Sequence, residues 1–193
     1  MRQFLFSVVF VPFFLFNSLF VFSQEDPTIL EIRKKYKIWQ PILGSGLNGA
    51  TQLFHYAWRD NFQNNDWYLE ELTSEDKFLF QKVNLIEKAN LGTFVNCYNF
   101  SISADWTIVA DYYFGQNNKL YFIFWRMNTF RAEEPLTIEK RLYFDSKGDL
   151  IRNLISVYKM NTKEKSTASF DDQEVEYHPD LTKMGFYDKW KSK

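Results

Sequence analysis

The hydrophobic positions of this chain change period once, near residue 50. Before that point the period is helical. Ile29, Ile32, Tyr36 and Trp39 recur at spacings of three, four and three, while Glu31, Arg33, Lys34, Lys35 and Lys37 take the other faces. Asp26 ahead of Pro27 offers an N-cap and a first-turn proline. Pro41 and Gly44-Ser45-Gly46 supply stop signals, so the reading places a helix over 27–39 with its aromatic stripe on a sheet.

From Ala50 the period moves toward two, and strands are predicted over 51–58, 67–72, 78–86, 93–103, 107–114, 120–127, 136–144 and 150–158. Segment 93–103 sets Phe94, Tyr98, Phe100 and Ile102 on one side. Segment 136–144 alternates cleanly, with Leu136, Ile138, Leu142 and Phe144 against Thr137, Glu139 and Arg141. Segment 120–127 is apolar on both faces, the mark of a strand covered on each side. The tail 163–193 is polar, with 181–190 read as a short strand or helix against the sheet edge.

Two stretches 30 residues apart share a pattern: Tyr113-Phe114 and Tyr143-Phe144 each precede a five-residue polar turn and a restart at Leu120 or Leu150. Asn117-Asn118 and Gly148 tolerate the positive φ that tight hairpins require, and flanking aromatics pair across the ladder. Consecutive hairpins lying side by side make a meander, the default for sequential strands.

These residues carry a resemblance. YYFGQNNKLYFIFWR and RLYFDSKGDLIRNL, preceded by ILEIRKKYKIW, resemble a group of exported bacterial proteins of unknown function. That group combines a leader, an IRxxY helix and repeated YYFxxGxLxF hairpins. The likeness spans the helix and residues 105–158; here the first turn carries Asn117-Asn118 where such hairpins carry glycine. It implies an exported α+β domain and brings no catalytic residues with it.

The opening segment reads as a separate object. Arg2 is the only charge before Glu25, and an apolar run over 4–22 ends in Val21-Phe22-Ser23. A positive start, an apolar body and a small-residue exit describe a secretory signal peptide over 1–23, cleaved between Ser23 and Gln24. An uncleaved membrane anchor is the alternative, since the run approaches the ~20 residues of a membrane span. Pro12 and Asn17-Ser18, which interrupt it, favour cleavage. No cysteine stands at the exit, which excludes a lipoprotein anchor there. The remaining 24–193 is read as one α+β domain, in the periplasm or secreted.

Composition narrows the functions. The 193 residues carry 23 basic and 24 acidic side chains and are 20% aromatic. A net charge of −1 gives no electrostatic footprint for nucleic acid, and the aromatic surplus argues against disorder. Eight of the 38 aromatics, all Phe, lie in 1–23, and the 30 that remain show that the surplus is not a product of the leader. Cys97 is the single cysteine, which leaves no intramolecular disulfide and makes it a small core hydrophobe.

Motifs for chemistry are scarce. The chain has no HExxH, GxSxG, P-loop, CxxC, GxGxxG or EF-hand pattern, and no cofactor is implied. The two histidines, His55 and His178, are the only bases for a Ser-His-Asp system, and a structural role is the simpler reading of His55 in its strand. Asp172, Glu174, Glu176 and His178 share one side of an extended tail, a weak cation site if they converge. The acid pairs Asp60 with Asp66 and Glu70 with Glu71 are the raw material of a glycosidase. Trp106, Tyr113, Trp125 and Tyr143 are the aromatics expected on a ligand face; core filling is the competing reading for Trp39, Trp58, Trp67, Trp106 and Trp125.

The sequence thus points to an α+β fold, an N-terminal helix packed on an antiparallel meander of about six to eight strands over 50–158. The expected function is a non-enzymatic envelope or secreted binding or accessory module engaging a protein or a small apolar or glycan ligand. The alternative is an envelope glycan hydrolase with a carboxylate pair about 5–10 Å apart in a cleft. No nucleic acid is expected as a partner, and a membrane only if the first segment stays uncleaved.

Overall fold

A computed structural model describes residues 25–58, 66–73, 76–170 and 172–192. The segment read as a leader and Asp60 lie outside the described residues. The fold is α+β: one eight-stranded antiparallel sheet with a long helix near its N-terminal end. The elements are α1 Pro27–Gly44, β1 Thr51–Trp58, β2 Trp67–Tyr68, β3 Lys77–Lys88, β4 Gly92–Phe100, β5 Trp106–Phe114, β6 Leu120–Thr129, β7 Leu136–Phe144 and β8 Leu150–Lys159. A 3-10 turn, Leu181–Lys183, and a short helix α2, Tyr187–Lys191, close the chain.

Strand order is β2-β1-β3-β4-β5-β6-β7-β8. Nearest-neighbour pairing holds from β3 onward. At the other edge β2 folds back outside β1, so β3 takes the inner side of β1. The expected strand over 67–72 shortens to Trp67–Tyr68. Segment 93–103 ends as a strand at Phe100, because Asp105 draws the chain into a turn: its carboxylate accepts from the hydroxyls of Ser101 (3.0 Å) and Ser103 (2.6 Å). Ile102 therefore leaves the Phe94 face and projects into solvent, 62% exposed.

α1 starts as the sequence predicts, with Asp26 accepting from the Thr28 amide at 2.8 Å. It then runs through Pro41 to Gly44, past the expected end at 39. Proline removes one intrahelical bond, but the added turn delivers Ile42 and Leu43 to the hydrophobic cluster under the helix, and Pro41 itself is exposed.

Each face of the sheet has its own core. The helix-side core joins Ile29, Ile32 and Trp39 to a row across the strands: Ile86, Phe94, Tyr113, Phe122 and Tyr143, registered side by side. The opposite core gathers Leu53, Val83, Val95, Ile123, Trp125, Ile138 and Phe144. The C-terminal tail covers this second face rather than the sheet edge. Leu181, Phe186 and Trp190 are its buried anchors.

The β5–β6 and β7–β8 hairpin turns close alike. Gly115 donates to the Lys119 carbonyl at 2.8 Å and Asp145 to that of Asp149 at 2.9 Å. Asn118 (φ 62) and Gly148 (φ 92) hold the left-handed position. Past each turn the register slips by one residue, after Tyr113 and after Tyr143. In the first case the slip sends Tyr121 to the helix side with Phe122, where its hydroxyl accepts from the Trp39 indole at 3.0 Å.

Candidate functional site

The tail turns the second face of the sheet into a groove. Beyond β8 the chain returns across the strands as an extended strap over residues 172–180, then reaches the β5–β6 turn. There Leu120 donates to the Pro179 carbonyl (3.0 Å) and Leu181 to that of Asn118 (2.9 Å). Alternation within the strap is clear: Gln173 and Val175 are half-buried toward the sheet, while Asp172, Glu174 and Glu176 are exposed. Tyr177 adds an edge-to-face contact with Phe144, centroids 4.9 Å apart.

Two buried side chains pin the strap. Lys140 lies in β7 between Ile138 and Leu142, on the core side of that strand, and its Nζ donates to Asp172 Oδ1 and to the Gln173 carbonyl. The same ammonium sits 5.1 Å from the centre of the Trp125 ring. Tyr112 donates its hydroxyl to the backbone carbonyl of Glu176 at 2.8 Å. Burial pushes the Tyr112 phenol well above its ordinary range, so it remains a donor.

Between strap and sheet lies a groove of about 900 Å³, within the ~300–1,000 Å³ typical of small-ligand sites. Its floor includes Cys97, Ile108 and Tyr112; Trp106 and Trp125 line it further along β5 and β6. At the other end stand His55, Trp67 and Phe80, with Phe186 behind them. His55 stacks on Trp67 at 4.8 Å and 24°, and meets Phe80 edge-on at 5.7 Å. A polar strip crosses these rings: Gln81 Nε2 donates to Asn99 Oδ1 at 2.6 Å. That bond uses one group of each amide and leaves a carbonyl on Gln81 and an NH2 on Asn99 for other bonds. A smaller hollow of about 280 Å³, lined by Met127, Arg131 and Phe170, shares Trp106 and Gln173 with the groove.

The residues singled out in the sequence separate by face. Trp106 and Trp125 line the groove, as do Glu174, Glu176, His55 and His178. Tyr113 and Tyr143 do not. Both are buried beneath α1 on the other side of the sheet, where Tyr113 packs against Phe94 (5.2 Å) and Tyr143 against Phe122 (5.0 Å). Among the described residues, no three His, Cys, Asp or Glu side chains are grouped to hold a metal ion. Asp172 is engaged by Lys140 instead.

The acids of the groove, Glu174 and Glu176, sit two residues apart on one exposed strap, whereas the described sheet wall presents rings, amides and a histidine. Glu70, Glu71 and Asp66 are exposed and do not line it. Cys97 is buried, and desolvation, with the Asp111 charge adding, pushes its thiol up and away from reactivity.

Sequence reasoning missed Lys140, Tyr112 and the amide pair Gln81–Asn99. Lys140 did carry a signal, a lone cation in the apolar parity of its strand. The amide pair carried none, because it depends on β3–β4 register. Comparison with protein-family models, curated proteins and solved structures returns no match for this chain.

Proposed function

We propose that this chain is a non-enzymatic binding module of the cell envelope or extracellular space, and that it holds a short glycan between strap and sheet. One observation carries the reading: the groove alternates flat aromatic rings, Trp67 and Trp106, with amides and carboxylates, Gln81, Asn99, Glu174 and Glu176. Sugars present apolar C–H faces and hydroxyl edges together, and such a lining meets both. A purely apolar ligand would leave the amide strip unsatisfied. The acids stand on one side of the groove, which favours recognition over the two-carboxylate chemistry of a hydrolase. Export rests on the apolar run over 4–22 behind Arg2.

The test is thermal unfolding of the full-length protein with envelope oligosaccharides, apolar small molecules and divalent cations in parallel. A ligand at a hundred times its Kd stabilises the fold by about 2.7 kcal/mol, a shift of several degrees. The reading requires a shift with a glycan that is lost in Trp106→Ala. A response confined to apolar compounds would replace the ligand class, and product release from the glycan would replace the binding role with catalysis.

A further inference from the structure

The opposite face of the sheet carries a second groove, separated from the first by the sheet itself. About 370 Å³ in volume, it lies along the flank of α1, over β6, β7 and β8. Ile32, Phe122 and Tyr143, all nearly fully buried, form its base, and Leu154 closes the β8 side. Its rim is cationic: Arg33 and Lys37 from successive turns of α1, and Arg141 from β7.

The cations around this groove exceed their partners. Glu25 is shared by Arg33 (2.7 Å) and Arg152 (3.0 Å), and Glu139 pairs with Arg141 (2.9 Å). Lys37 is exposed and forms no ion pair among the described residues. Asp111, one row deeper, is engaged by Asn96 at 2.8 Å. Each guanidinium also lies over a ring, Arg33 with its Cζ 5.9 Å from the centre of Tyr143 and Arg141 5.1 Å from that of Phe124. Each keeps donors of its fork that its carboxylate partner does not use.

An apolar trough whose lip carries, among the described residues, one unpaired cation, Lys37, beside two arginines with spare donors selects a ligand with an anionic head and a hydrocarbon body. The geometry points to a second binding site on this face, for the carboxylate and alkyl chain of an aliphatic acid. The head is held by Lys37 and Arg141, and the chain lies over Ile32, Phe122, Tyr143 and Leu154. The alkyl chain supplies affinity by leaving water at roughly 0.8 kcal/mol per methylene buried. The cations supply the choice of head group through charge-assisted hydrogen bonds. The site does not depend on the glycan reading of the strap-side groove.

The experiment titrates the full-length protein with octanoate, octanol and octylammonium, all well below their aggregation limits, by calorimetry. Octanoate is expected to bind at one site and most tightly of the three. Lys37→Glu, a change at an exposed helical position, should weaken octanoate by about tenfold or more and favour octylammonium. Leu154→Glu, which places an acid in the trough, should abolish octanoate binding, while Trp106→Ala should leave it intact. Equal binding of the three compounds would overturn the proposal, as would indifference to both Glu variants, loss of binding in Trp106→Ala, or no binding at all.

Discussion

Lys140 Nζ and Asp172 Oδ1 lie 2.5 Å apart, yet the two side chains live in different media: the lysine is 5% exposed and the aspartate 60%. This pair joins strand β7 to the strap that walls the groove. Its asymmetry means that removing either partner has a different consequence.

Asp172→Ala leaves a buried ammonium with the Gln173 carbonyl as its remaining strap partner, and is expected to cost about 1–3 kcal/mol. Lys140→Met removes the buried charge and frees an aspartate that water solvates readily; it should cost less in global stability. Urea denaturation of both variants checks the order. Amide exchange over 172–178 should rise in each, because each unpins the strap.

Tyr121→Phe removes the acceptor of the Trp39 indole N–H while keeping the ring in place. Trp39 is fully buried, so its donor loses its protein partner. A loss of about 1–3 kcal/mol is expected, measured by chemical denaturation. The effect should vanish in a Trp39→Phe background, since the two residues act as one unit.

Gly92→Ala tests a packing constraint. Gly92 has φ +110, and an added Cβ would overlap the Phe114 carbonyl oxygen and come within 2.7 Å of the Gly115 carbonyl carbon. Both obstacles are backbone, at the end of β5 and the start of its turn, so they cannot rotate away. A loss of about 3 kcal/mol or more, or failure to accumulate as folded protein, is the expected outcome.

Two aspartates should respond to pH in opposite senses. Burial raises the carboxyl of Asp111, against the hydrogen bond from Asn96 and the charge of Arg126. The folded state therefore holds this proton more tightly than the unfolded chain, and stability falls as pH rises above about 3.8. Lys119 and Thr182 hold Asp180 at about 2, so its contribution is present above 3.8 and is lost as pH falls toward 2. Asp111→Asn should gain on the wild type with rising pH, and Asp180→Asn should flatten the acid limb. Urea midpoints between pH 2 and pH 8 would show both, and parallel curves for wild type and variants would refute them.

Much of the fold was legible because it is locally encoded. The Asp26-Pro27 cap, the stripe from Ile29 to Trp39 and the alternation over 136–144 each report a period that one element imposes on its own residues. The same logic failed at Pro41, where burial of Ile42 and Leu43 carried the helix past its stop signal. It also failed at Ile102, where the hydroxyl bonds to Asp105 ended the strand.

The candidate site was half legible for a different reason. Trp106 and Trp125 belong together only because β5 and β6 pair Ala110 with Trp125 and Ile108 with Met127. Tyr113 has the opposite parity to Trp106 within β5, and Tyr143 follows it through the register to Phe122. Aromatic character alone does not say which side of a two-sided sheet a ring occupies, and here both sides are apolar.

The residue pattern alone fixes the start of the helix, the place of most strands and the turns at Asn117-Asn118 and Gly148, since periodicity, capping and positive φ are properties of neighbouring residues. The tertiary structure alone decided the two grooves. They depend on register, on the slip after Tyr113, and on contacts between residues far apart in the chain: Trp39 with Tyr121, Tyr112 with Glu176, and Lys140 with Asp172. Such contacts form only where the folded backbone brings distant segments together, and no local pattern records them.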